Sequence, residues 1–280
     1  ITQNREHYLT ILGSPHSIPH KELRKYSLTI TRLFAKIAKS PRPSEITNSA
    51  DAAIYADINE DEQPDLSVGR MTGLTVTDVS SHFYRGIYFD KFSKSNDILV
   101  LSSDPGKGWA DWIVSAFPQW SLETAKLFSF SNYPTQRINQ NQDQFKGEGK
   151  DWEGKQLIHY LDHGSNSMAG IGTTEIPKLD NSLIFTSACS TCETANEESF
   201  CHTAIRKGAS MFLGATSMTF GIGNTDRKMI SKIYHDGKPL GLAYKESTII
   251  NKDQGMRMLI GDPTLNIEAN PRLVRPLVED

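Results

Sequence analysis

From Asp97 onward the chain alternates short apolar runs with amphipathic stretches of about ten residues, and no other feature constrains the fold as tightly. Strand-like runs stand at 97–102, 125–130, 156–161, 182–187 and 210–214, and helical patterns at 109–117, 197–208, 225–236 and 239–250. Strands interleaved with helices of this length build βαβ units, so an α/β fold is expected, a mainly parallel sheet with helices on both faces. The polar stretch 138–155 reads as a long exposed loop between two elements, because the strand series resumes after it.

The first part of the chain is patterned differently. Residues 8–13 read as a strand. Residues 20–40 read as a helix with Leu23, Tyr26, Ile30, Leu33 and Ile37 on one face, stopped by Pro41-Arg42-Pro43. The opposite, basic face of that helix reads as solvated. Short strands at 53–55 and 66–68 flank an acidic turn, and a helix spans about 75–92. A smaller α/β subdomain over 1–95 therefore precedes a larger one over 96–280. The 280 residues suffice for two such units at roughly 150 residues per domain, and they can bury a core without a disulfide scaffold. A net charge of −3 argues against a nucleic-acid partner held by a global positive field. Apolar runs such as Ile98-Leu99-Val100-Leu101 are far short of the roughly 20 residues that a membrane span needs.

Two of the strands deliver chemically capable residues at their C-terminal ends, the edge where open parallel sheets bind ligands. One runs Leu157-Ile158-His159-Tyr160-Leu161 into Asp162-His163-Gly164-Ser165, the other Leu183-Ile184-Phe185-Thr186-Ser187 into Ala188-Cys189-Ser190. If the strands are neighbours, a spacing of about 5 Å brings His163 and Cys189 within side-chain reach. A Cys–His pair is the arrangement that generates a thiolate nucleophile at neutral pH. Gly164 leaves its backbone N–H open to a substrate oxygen, and with the N–H of Cys189 it forms a candidate oxyanion hole.

The chain resembles the caspase-like cysteine peptidases, and within them the gingipain family, peptidase family C25. The segment 160–165 resembles the gingipain histidine strand, and its Asp162-His163-Gly164-Ser165 is also similar to the legumain version. Gly172-Thr173-Thr174 with Lys178-Leu179-Asp180-Asn181 resembles the connecting segment, and residues 185–189 resemble the nucleophile strand. Gly261-Asp262-Pro263-Thr264-Leu265 resembles the signature that closes the catalytic domain. Leu12-Gly13, Ile18-Pro19 and Val68-Gly69-Arg70 are similar to the family's N-terminal subdomain, so the likeness spans about 8–268.

The resemblance implies a cysteine endopeptidase acting on peptide or protein substrates. Cys189 would be the nucleophile, His163 its base and later acid, and Gly164 an oxyanion donor. It also implies an acidic residue in the S1 pocket. Asp111 is the first candidate and Asp104 the second, with Phe220 as apolar cover in the 216–220 segment. A carboxylate there pairs with Arg or Lys at P1. Some relatives carry Asp two residues before the nucleophile, where this chain has Ser187 as a candidate pocket residue. Asp162 keeps Asn or Asp specificity open. The chain starts at Ile1 with no leader pattern, so either a signal or pro-segment has been removed or the chain is trimmed. The family implies secretion or a cell-surface location.

Cys189, Cys192 and Cys201 are an odd, clustered set and a poor disulfide framework. Cys192 and Cys201 read as small packing residues or unpaired thiols. A Cys-x-x-Cys redox motif, or a zinc set of Cys189, Cys192, Cys201 and His202, are the alternatives. Asp57, Asn59, Asp61, Gln63 and Asp65 place oxygen donors at alternate positions in one acidic turn, which suits a structural Ca²⁺. The turn lacks an EF-hand's Gly and terminal Glu, and an exposed acidic hairpin is the other reading. The rival to a peptidase is a catalytically silent, calcium-dependent binding or surface module on the same fold.

Overall fold

The computed structural model describes residues 6–13, 18, 55–59, 64–93, 95–103, 116–129, 133–140, 149–193, 196–216, 223–247 and 257–267. Within them an eight-stranded sheet has the order β1-β2-β10-β9-β8-β5-β3-β4. These strands are β1 (Tyr8–Leu12), β2 (Ser67–Met71), β3 (Ile98–Ser103), β4 (Thr135–Gln140), β5 (Leu157–Leu161), β8 (Leu183–Thr186), β9 (Met211–Ala215) and β10 (Arg257–Ile260). A two-stranded hairpin, β6 (Ser167–Met168) and β7 (Ile171–Gly172), stands apart from them. Strands β9, β8, β5, β3 and β4 are parallel. β10 runs against β9, and it meets the parallel β1–β2 pair through one rung, Ile260↔Arg70.

Alternation along the central strands sends side chains to two cores. Ile98, Val100, Leu157, Leu183, Phe185, Met211 and Leu213 face one side. Helices α3 (Ala116–Ser129), α5 (Gly223–Tyr234) and α6 (Leu240–Ser247) cover that side with Phe128, Ile230, Tyr234 and Tyr244. Leu99, Leu101, Ile158, Tyr160, Ile184 and Phe212 face the other side, under α4 (Phe200–Arg206). Strands buried on both faces read as continuous apolar runs, as their sequences do. A third, small core joins Ile11, Ala56 and Val68.

The helix expected over 75–92 forms as α1 (Val76–Ile87) and α2 (Phe89–Phe92), broken at Tyr88. Thr75 and Asp78 close α1 with a reciprocal capping box. Two family-like motifs interlock beside it. A Cβ on Gly69 would stand 2.5 Å from the Gly261 carbonyl oxygen and 2.9 Å from the Pro263 ring, so only glycine lets β2 pass that turn.

Three expectations are corrected. Residues 125–129 belong to α3, not to a strand. Ala125 and Phe128 are three apart on one buried helical face, and a short apolar run does not distinguish the two periods. The strand that pairs with β3 there is β4, a polar edge strand that lacks a strong apolar signal. The segment 138–155 is accordingly not all exposed loop. β4 runs to Gln140, and Trp152, the last residue of a 3₁₀ turn, is buried against Phe200. The helix expected at 20–40 and most of 109–117 lie outside the described residues, as do Ala53 and Ile54. Tyr55 and Ala56 form a helical turn where a strand was expected.

Candidate active site

β5 and β8 are neighbouring parallel strands, paired at Leu157↔Leu183, Ile158↔Ile184, His159↔Phe185 and Tyr160↔Thr186. Every rung has an offset of 26 residues, and 26 also separates His163 from Cys189. The two residues therefore occupy equivalent places, three residues beyond the last rung, on the C-terminal edge of adjacent strands. Past the strands the two loops stay in contact. A Cβ on Gly164 would lie 2.7 Å from the Ala188 Cβ and 3.0 Å from the Thr191 methyl group. The backbone following the histidine thus rests on residues that flank the cysteine.

Each loop is separately braced. The Tyr160 hydroxyl donates to the His163 carbonyl oxygen at 2.8 Å. Burial pushes that phenol's pKa well up, so it stays a neutral donor. Gly164 also bridges to Met168 in the hairpin that follows. On the other strand the Ala188 N–H donates to the Thr186 hydroxyl, and the Thr191 hydroxyl donates to the Ala188 carbonyl oxygen. Ser190, directly after Cys189, takes a left-handed φ of 51°. The Cys192 N–H ties the end of the turn to the Ala215 carbonyl oxygen at 2.8 Å. His163 is exposed and Cys189 half-buried, so both are open to a ligand from the sheet edge.

The family model for peptidase family C25 matches residues 2–268. The chain belongs to peptidase family C25. Its members are cysteine peptidases, and this chain is accordingly a cysteine-type endopeptidase. The solved complex of the pro- and mature domains of RgpB from Porphyromonas gingivalis is similar over 100% of this chain and 68% of that one, at 18% identity and a TM-score of 0.71. Another solved protease structure is similar over 94% of this chain and 65% of its own length, at 12% identity and a TM-score of 0.66. The chain thus spans about two thirds of each, and likeness at these identities establishes the caspase-like fold. No curated protein matches the sequence.

Asp104, Asp111 and Phe220 lie outside the described residues. The Ser187 hydroxyl donates to the Asp226 carboxylate at 2.6 Å. In the acidic turn, Asp61 and Gln63 are outside the described residues, while Asp65 accepts the Ile58 and Asn59 amides on one carboxylate oxygen. No group of three or more metal-ligating side chains occurs among the described residues.

Two features of the site were missed in the sequence. Cys192 and Cys201, expected as packing residues or unpaired thiols, form a disulfide, which takes both sulfurs out of the zinc and Cys-x-x-Cys alternatives. Cys192 ends the turn after β8, and Cys201 lies in the first turn of α4 with a Cα–Cα separation of 5.0 Å, so a clustered spacing produces a bridge. The second is a buried ionic cluster. Asp226 of α5 pairs with Arg257 of β10, and the His159 Nε2 lies 3.5 Å from the same carboxylate. Burial alone would raise the Asp226 pKa, but the Arg257 guanidinium, with His159 and Ser187, holds it below the ordinary carboxylate value. The available signal was His159, a polar residue at a core-facing position of an otherwise apolar strand.

Proposed function

We propose that Cys189 is the nucleophile of this endopeptidase and His163 its acid–base partner. The observation that carries the reading is the common offset of 26 residues, with Gly164 seated on Ala188 and Thr191. The Cys189 thiolate attacks the scissile carbonyl carbon, forming the C–S bond. The oxyanion that develops accepts hydrogen bonds from the Gly164 and Cys189 amides. Collapse breaks the C–N bond while the His163 imidazolium gives its proton to the leaving amine. A water that His163 deprotonates then hydrolyses the thioester and restores the thiol.

Arg or Lys is the favoured P1 residue, with Asp111 as the charged partner and Phe220 as the cover, and Asn or Asp the second possibility. The test is a fluorogenic peptide panel with P1 Arg, Lys, Asn, Asp and Leu, run beside Cys189→Ala. Cleavage of one P1 class that disappears in the variant supports the assignment, whereas cleavage that survives removes Cys189 as nucleophile. A P1 preference unchanged in Asp111→Asn removes the pocket assignment.

Residues 1–95 serve in this reading as a subdomain supporting 96–280, supported by the small core of Ile11, Ala56 and Val68 and by the one ladder rung, Ile260↔Arg70, through which β2 meets β10. A secreted or surface location is supported by the buried Cys192–Cys201 disulfide, because such bonds persist in oxidising compartments. No helix among the described residues is long and apolar enough to cross a membrane. A structural Ca²⁺ in the acidic turn is supported by its alternating oxygen donors, and the second Asp65 oxygen could join them. A melting temperature unchanged between added calcium and a chelator would remove that ion.

A further inference from the structure

We propose that Asp226 and Arg257 are positioning residues for the nucleophile, acting through Ser187 and Thr186. The inference rests on Cys189 being the nucleophile. Thr186 is the last residue of β8, and the chain reaches Cys189 three residues later. Arg257 donates from Nη2 to the Thr186 carbonyl oxygen at 2.7 Å. Asp226 accepts the Ser187 hydroxyl at 2.6 Å and is ion-paired with the same guanidinium. Two consecutive residues before the nucleophile are therefore held by one charge pair, through a carbonyl on the first and a hydroxyl on the second. The Thr186 hydroxyl takes the next free amide, that of Ala188.

The pair reaches this segment from distant parts of the chain. Arg257 opens β10, two strands away from β8, beside Ala215 at the far end of β9. Asp226 comes from the first turn of α5, on the helical face that covers β5 and β8. Arg257 is 1% exposed and Asp226 0%, so neither charge presents itself to a substrate. A buried ion pair is a weak contributor to net stability, since desolvation offsets most of the attraction. Its directional bonds are what an apolar replacement would lose, and both are directed at the two residues that aim Cys189.

Ser187 thereby acquires a role different from that of a pocket wall. A wall residue discriminates between P1 side chains and moves KM for one class of substrate. A positioning residue fixes the sulfur relative to the scissile carbon, so its loss lowers kcat for every substrate by a similar factor.

Four variants test this in the full chain: Ser187→Ala, Ser187→Thr, the paired Asp226→Leu with Arg257→Met, and Cys189→Ala. For each, kcat and KM are measured on substrates of two P1 classes, with melting temperature as the folding control. Ser187→Ala should lower kcat about tenfold on both classes, equivalent to about 1.4 kcal/mol of barrier, with KM little changed. Ser187→Thr, which keeps the hydroxyl, should recover most of that loss. The paired variant, apolar and near in volume, should fold and show the same P1-independent fall in kcat. A KM change confined to one P1 class, or undiminished kcat in Ser187→Ala, overturns the proposal. If the paired variant does not fold, the Ser187 pair decides alone. Cleavage that survives in Cys189→Ala overturns the nucleophile assignment, and the proposal with it, whatever the other variants do.

Discussion

Gly164 lies against Ala188 so closely that a methyl group on its Cα would stand 2.7 Å from the Ala188 Cβ, well inside van der Waals contact. This contact couples the histidine loop to the cysteine turn by backbone proximity alone. Gly164→Ala must push the loops apart by several tenths of an ångström, and the Thr191 methyl at 3.0 Å blocks the obvious escape. A misplacement of about 1 Å at a reacting pair costs on the order of a hundredfold in rate, so the smaller shift at the proposed pair costs about tenfold. We expect kcat/KM to fall by about tenfold, while overpacking costs only about 1–3 kcal/mol of stability. Steady-state kinetics beside a thermal melt separate the two. Wild-type kcat/KM would mean that the contact does not set the distance between Cys189 and His163.

The Cys192–Cys201 disulfide creates a conflict between activating this enzyme and keeping it folded. With Cys189 as the proposed nucleophile, the enzyme needs reductant to keep that thiol reduced, yet strong reductant also opens the bridge that ties the turn after β8 to α4. Activity against reductant strength should rise and then fall. In the paired variant Cys192→Ala with Cys201→Ala the falling limb should vanish, with a lower melting temperature. A short loop of this kind contributes about 2–4 kcal/mol, and a loss of that size lowers Tm by several degrees in a domain this large. A monotonic activity curve in the wild type would show that the bridge does not support the site.

The parts of this site that were legible in the sequence are those that depend on local order. Strands β5 and β8 announced themselves as apolar runs, and His163 and Cys189 followed directly from them. What was illegible depends on partners distant in the chain. Asp226 and Arg257 are 31 residues apart in the chain, and each looks like an ordinary surface charge until packing brings them together. β4 was lost because an edge strand can be polar on both faces, and α3 was misread because its short apolar run, Leu127-Phe128 after Ala125, is too brief to separate a strand from a buried helix.

His82 makes stability sensitive to mild acid. Its ring is fully buried on α1, within 3.0 Å of the Ser210 carbonyl oxygen, and burial, with Arg85 nearby, lowers its pKa to about 4. An unfolded histidine takes up its proton near pH 6.5. Between these values the unfolded chain binds a proton that the folded one refuses, so stability is full above about pH 6.5 and falls as pH drops toward 4. The integrated loss is about 3 kcal/mol. His82→Gln keeps a donor for Ser210 but cannot titrate, so its melting temperature should vary less between pH 7 and 4.5. An unchanged slope in that variant would assign the acid sensitivity to another group.

Breaking the Asp226–Arg257 pair one partner at a time should be worse than removing both. Arg257→Met strands a carboxylate with no exposed surface, and His159 at 3.5 Å is a poor substitute for a guanidinium. Removing one partner of a buried pair typically costs about 3–5 kcal/mol, whereas exchanging both for apolar residues of similar volume is close to neutral. Arg257→Met should therefore melt well below the paired Asp226→Leu, Arg257→Met variant. The low folded-state pKa of Asp226 fixes the sign of the pH effect. Stability from the pair is present above the unfolded carboxylate value near 3.9 and lost as pH falls through the lower folded value. Denaturant melts of the wild type and both variants at pH 7 and pH 3 measure this. If the single variant is as stable as the double at pH 7, the carboxylate has found water or another cation, and the pair is not isolated.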